Sequence, residues 1–268
     1  MALWLLNHLS TPVLTLVVVG GVVLVSLAGN TLVRRRFPAA TSGEHNDMVG
    51  VVLGVFGAIY GIILAFVIVT LWDQLEAAET TVAAEATDMA LIVRDANAFP
   101  APARARLDAV VHDYLHGVVD RQWPLMREGH AGYGVTQARI DNFFTAVQGY
   151  EPTTQSQQTF YGEVVTRLND VAAQRRDRLD KAAEQLPLLL QILAYGGALV
   201  IIPLTYLYGI RQRVIQSFFV TSVAALIALC LLLVIVLDRP FSGDVSVSPQ
   251  PYKQGALARF WEKSESPR

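Results

Sequence analysis

The chain has 268 residues, 53% of them hydrophobic and 16% charged, with a formal net charge of −2. Soluble domains carry about 25% charged residues, so this charge content and a mean hydropathy of +0.39 point to a membrane protein. Near-neutral charge gives no argument for nucleic-acid binding, and the lone Cys230 excludes an intrachain disulfide.

In chain order, four apolar spans free of Asp, Glu, Lys and Arg stand out, at about 11–29, 49–72, 186–210 and 215–237. Each is long enough to cross a bilayer as a helix. They pair into two hairpins. The expected organisation is a first transmembrane hairpin over 1–72, a helical bundle over 73–185, a second hairpin over 186–237 and a tail over 238–268. A cleaved leader over Met1–Ala28 is the alternative for the first span. Its start carries no positive charge and three arginines follow it, which favours an uncleaved anchor.

Basic residues set the orientation. Arg34, Arg35 and Arg36 lie in the first short loop, Arg211 and Arg213 in the second. The positive-inside rule places both loops in the cytoplasm. The N-terminus, the 73–185 segment and the C-terminal tail are then extracytoplasmic, which is the periplasm if the source is a Gram-negative bacterium.

The 73–185 segment reads as helical. Leu75, Val82 and Met89 are spaced by heptads, as are Ala78, Glu85 and Ile92, a coiled-coil-like seam weakened by Glu85. Pro100 and Pro102 break it. A second helix is expected over Ala103–Gln122, with Leu107, Val110, Val111, Tyr114, Leu115 and Val118 on one face. A loop follows over Trp123–Tyr133, then a helix over Thr136–Val147 and a turn at Gly149–Pro152. The last helix, Thr154–Gln185, carries Phe160, Val164, Leu168, Val171 and Leu179 and enters the third span at Pro187. No stretch alternates with period two, so the fold class is an all-α membrane protein with four transmembrane helices in two hairpins and an extramembrane helical bundle between them.

Several pieces together resemble a bacterial membrane family labelled DUF4239 or bestrophin-like. They are His45-Asn46-Asp47 before a Gly-rich span, Leu64-Ala65-Phe66-Val67, Leu71-Trp72, Glu85-Ala86, and the run from Leu237 to Gly243 after the last span. The resemblance implies a homo-oligomer with channel-like architecture, a pentamer by analogy with the bestrophin chloride channels. Bestrophins place their large soluble region in the cytoplasm, whereas the charges here place it outside.

The second span carries a small-residue stripe, Gly50, Gly54, Gly57, Gly61 and Ala65. At 100° per residue these fall within an arc of about 80°. Such a stripe is either a helix-packing face or the lining of an axial pathway. Asp47 falls near the same face at one end; Trp72, Glu76 and Glu79 fall near it at the other. Acidic rings at both mouths slightly favour cations over anions. No ionisable side chain lies within a span, which lowers the case for a proton-coupled transporter.

Asp238 and Arg239 follow the last span. They read as a snorkelling pair and turn, or as a gating pair with Arg239 against Asp73 or Glu76. His112 and His116, at i and i+4, are weak metal candidates with Glu85 or Asp88 as further ligands; two imidazoles alone make no site. No HExxH, P-loop, GxGxxG, GxSxG or paired-cysteine motif occurs, so neither an enzyme nor a cofactor is expected. The leading expectation is a homo-oligomeric ion channel in the lipid bilayer, lined by the second span and passing inorganic ions. The rival is a non-conducting sensor or assembly protein whose helical bundle binds an envelope partner.

Overall fold

The computed structural model describes residues 2–262; Met1 and residues 263–268 of the expected tail lie outside the described residues. The regular secondary structure of the described residues is all helical, without strands. Nine α-helices follow in order: α1 (Ala2–His8), α2 (Thr11–Arg36), α3 (Asn46–Asp95), α4 (Ala101–His116), α5 (Trp123–Arg127), α6 (Gln137–Gln148), α7 (Gln155–Ala183), α8 (Leu188–Tyr206) and α9 (Arg213–Leu237). Four helical stretches are long and apolar enough to cross a membrane, with α2, α3, α8 and α9 supplying their apolar parts. The chain divides into two units.

The first unit comprises residues 1–73, 185–239 and 243–245. Here α9 is the central helix: half of its most apolar stretch is buried, against 11% for α2 and 17% for α3. It packs on both α2 and α8. One apolar cluster joins Tyr60 and Leu64 of α3 to Ala194, Ala198 and Ile201 of α8 and to Ile227 and Leu231 of α9. A second joins Leu6 and Leu14 to Leu232 and Val236. Polar ties hold the helix ends. Asp244 caps α2, its Oδ2 accepting from the Thr11 N–H (2.8 Å) and hydroxyl (3.2 Å), which also places an anion at the positive end of the helix dipole. The two short loops are stitched by Asn46, which donates to the Gly209 carbonyl and accepts from its N–H. Gly209 sits so close to Gly43 that a Cβ there would lie 2.3 Å from the Gly43 nitrogen, so only glycine permits the crossing.

The second unit comprises residues 74–184, 240–242 and 246–268. In it the C-terminal half of α3 runs antiparallel to α7. Leu75, Ala78, Val82, Glu85, Met89 and Ile92 are all buried on α3, and Val164, Leu168, Val171, Arg175, Arg178 and Ala182 on α7. Both sets alternate spacings of three and four, the coiled-coil pattern. The charged interruptions meet: Arg178 grips Glu85 with two bonds, Nε to Oε2 at 2.8 Å and Nη2 to Oε1 at 3.2 Å, both side chains fully buried. Tyr114 donates to Glu85 (2.7 Å), and Gln122 Oε1 accepts from Arg178 Nη1 (3.1 Å).

Several local expectations are corrected. The expected helix over Ala103–Gln122 becomes α4 followed by a π-helical turn, Gly117–Gln122. That wider turn points Gln122 into the core, where it also donates to the Gly132 carbonyl. Trp123 begins a further helical turn rather than a loop, because Pro124 falls in its first turn, where no N–H is needed. Phe160 is 38% exposed and not part of the core face. The chain leaves helix between Ala183 and Leu188 instead of running on from α7, and Pro187 disfavours helix for the residue before it. Of the described residues after α9, Phe241, Tyr252 and Leu257 are buried in the second unit, and Trp123 meets Phe241 and Tyr252 edge-on.

Burial works against the Arg178 charge, but Glu85 beside it outweighs this and raises its pKa overall. Arg178→Leu strands the Glu85 carboxylate and should destabilise the protein by about 3–5 kcal/mol in chemical denaturation. Glu85→Leu combined with Arg178→Leu should recover much of that loss. Burial also pushes the Tyr114 and Tyr252 hydroxyls well above their usual value of 10.0. A proton held more tightly in the folded state makes stability full below pH 10 and falling as pH rises beyond it. Thermal melts from pH 8 to 11 should therefore show a progressive alkaline loss, reduced in Tyr114→Phe relative to its own value at pH 8.

Candidate functional site: the small face of α3

Along residues 50–72, α3 presents three faces. Tyr60, Leu64, Val67 and Leu71 form a buried stripe against the first unit's core. A bulky apolar face, with Val55, Ile59, Ile62, Phe66 and Val69, is exposed. Between them runs the small face. Gly54, Gly61 and Ala65 are exposed and Gly50 and Gly57 half-buried. A Cβ built on Gly54, Gly57 or Gly61 meets nothing within 4 Å, while Gly50 has only the Tyr208 ring, at 3.6 Å. The stripe is thus not a packing face for helices of its own chain.

Glycines that do serve helix packing lie elsewhere: a Cβ on Gly29 of α2 would lie 3.0 Å from the Tyr206 ring of α8. A Cβ on Gly197 of α8 would lie 2.3 Å from the Tyr60 ring. Tyr60 crosses at that point and donates to the Ala194 carbonyl at 2.6 Å. The spacing of α3 glycines alone does not reveal this contact, since the partner sits more than 130 residues away.

Asp47, Trp72, Glu76 and Glu79 are all exposed. Asp238 accepts the Leu186 N–H at 2.6 Å and so ties the end of α9 to the approach of α8. Burial raises the Asp238 carboxyl above its usual range; the Leu186 N–H and Arg239 work the other way. No ion pair joins Arg239 to Asp73 among the described residues.

The His112 and His116 rings lie 4.4 Å apart, tilted by 35°. His116 is engaged by Asp120 (2.6 Å), the Phe260 carbonyl (3.1 Å) and the Trp261 ring (4.2 Å). Glu85 is taken up by Arg178 and Tyr114, and Asp88 by Gln174 and Arg167, so neither carboxylate is free to complete a metal site with the histidines.

The all-helical architecture with four membrane-spanning helices defines a multi-pass membrane protein. The chain belongs to the bestrophin-like family: the model of the Bestrophin-like domain matches residues 20–252. Among solved structures it is similar to a bacterial bestrophin homologue from Klebsiella pneumoniae. The TM-score is 0.68 at 12% identity, over 90% of this chain and 96% of that one, a likeness of fold. No curated protein matches the chain.

The contrast between the two kinds of glycine is measurable. Gly54→Ala and Gly61→Ala should leave thermal stability in detergent unchanged or raise it by up to about 1 kcal/mol through helix propensity. Gly197→Ala should cost about 1–3 kcal/mol by displacing the Tyr60 ring.

Proposed function

We propose that the chain is a homo-oligomeric ion channel of the bacterial inner membrane, with the small face of α3 lining its path. Membership of the bestrophin-like family and the bestrophin fold support an ion channel at the family level. The observation that carries the finer reading is the open space beside Gly54, Gly57 and Gly61. The chain's own core takes the neighbouring stripe on α3 and leaves the small one uncovered. Arranged around an axis, five copies by analogy with bestrophins, that face gives a dry, narrow lining of the kind that gates by dewetting.

In this reading Asp47 marks the cytoplasmic mouth, and Trp72, Glu76 and Glu79 the extracytoplasmic one. Rings of these carboxylates favour cations slightly over anions. The arginines of the two short loops face the cytoplasm; the 73–185 segment and both termini are extracytoplasmic. Asp238 and Arg239 form the gating pair. Because Asp238 holds the Leu186 N–H, a change of charge at Arg239 acts on the link between α9 and α8.

Purified protein in a planar bilayer under asymmetric KCl should conduct, with a reversal potential on the cation side of zero. Glu76→Gln with Glu79→Gln should move that potential toward zero, and Gly57→Phe should abolish the current. Arg239→Ala should alter open probability or cation preference. Silence of the unsubstituted protein across voltage, pH and divalent concentration would sink the channel and favour a non-conducting interaction protein.

A further inference from the structure

At the short-loop end of the first unit, a cavity of about 350 Å³ opens between α2 and α9. Its wall includes Thr31, Arg34, Arg35, Arg213, Gln216 and Ser217. Three guanidinium groups thus share one small space, and its lining contains no Asp or Glu among the described residues. Like charges converge this way at low cost only when an anion or water separates them. We propose that this cavity binds a phosphate ester bearing a free hydroxyl.

Arg34 is the anchor. Its Nη2 donates to the Ile210 carbonyl at 2.8 Å, which fixes the plane of the guanidinium. Its Nε is buried and has no hydrogen-bond partner among the described residues. A buried charged donor without an acceptor is unfavourable, and a phosphate oxygen in the cavity supplies one. Arg35 and Arg213 are exposed at the rim and complete the positive field. The cavity also adjoins the start of α9, whose N-cap Gln212 makes no side-chain capping bond. The first N–H groups of a helix add to the attraction for an anion.

Gln216 supplies the second half of the specificity. It is 1% exposed, and its Nε2 donates to Asn30 Oδ1 (3.4 Å) and to the Thr205 carbonyl (3.2 Å). Two acceptors on that side fix which end of the amide is nitrogen. Its Oε1 is left buried without a donor. A hydroxyl on the ligand meets that need where the ionised group of a phosphodiester, accepting only, does not. Basic pockets between membrane helices at headgroup depth suit anionic lipid heads, and a free sugar or glycerol phosphate offers the same groups.

The test uses full-length protein in detergent and three probes: dioctanoyl phosphatidylglycerol, dioctanoyl phosphatidylcholine and glycerol 3-phosphate, titrated calorimetrically. Saturable binding of the phosphatidylglycerol is expected, with phosphatidylcholine at least about tenfold weaker. Arg35→Gln with Arg213→Gln should weaken binding at least about tenfold at an unchanged melting temperature. Arg34→Lys, which keeps the charge and loses the Nε donor, should weaken it as well. Glycerol 3-phosphate binding as tightly as the lipid assigns the site to a free phosphate ester; binding of the lipid alone assigns it to a headgroup. Three results each overturn the proposal: no saturable binding of phosphatidylglycerol or of glycerol 3-phosphate, equal affinity for the two lipids, or unchanged affinity in both variants. Any of these leaves the channel reading standing, because the cavity contains none of the small-face residues of α3.

Discussion

A carboxylate in the middle of a coiled-coil seam sets the terms for the second unit. Glu85 is fully buried, and an isolated charge there is far too costly to tolerate. The cost is offset because Arg178 meets it with two bonds, Tyr114 adds a third, and Gln122 occupies the remaining side of the guanidinium. Each partner imposes a constraint in turn. α7 must lie antiparallel in one register, α4 must present Tyr114, and the π-helical turn must rotate Gln122 inward. The following Trp123 then stacks edge-on with Phe241 and Tyr252, which brings the residues after α9 into the same core. A buried ion pair of this kind selects register more than it adds stability.

The same helix poses a different problem in the first unit. Over residues 50–72 there is no charge to satisfy, and the question is which apolar stripe is covered. The chain covers only one, through Tyr60, Leu64, Val67 and Leu71, and the Tyr60 crossing requires Gly197 on α8. The α3 glycines remain free of such contact. Small residues without a neighbour in their own chain are a cost in helix propensity with no packing return inside the protomer. That is the physical reason for assigning them to a lining face.

Much of the helical content was legible because it rests on local patterns. Apolar spans without charge declare membrane helices, and heptad spacing declared the α3 seam, including the out-of-place Glu85. The complementary signal was also present: Arg175 and Arg178 continue the heptad of Val164, Leu168 and Val171 on α7. Reading the two together would have paired them. The π turn was not legible, because its cause is the hydrogen bonding of Gln122 to Arg178 and Gly132, 56 and 10 residues away. Trp123–Tyr133 reads as a loop because it contains Pro124, Gly129 and Gly132, although proline is tolerated in a first helical turn. For the candidate pore, the sequence located the small face and the flanking carboxylates but gave two readings of it, packing or lining.

The amino-acid sequence by itself determined that this is an all-helical, four-span membrane protein and identified its family resemblance, because hydropathy and helical periodicity act over neighbouring residues. Only the tertiary structure decided which stripe of each helix is covered, how Glu85 is neutralised, that residues 241–257 after α9 complete a core, and that arginines of α2 and α9 share one cavity. Those outcomes depend on groups brought together from distant parts of the chain, and no local spacing encodes them.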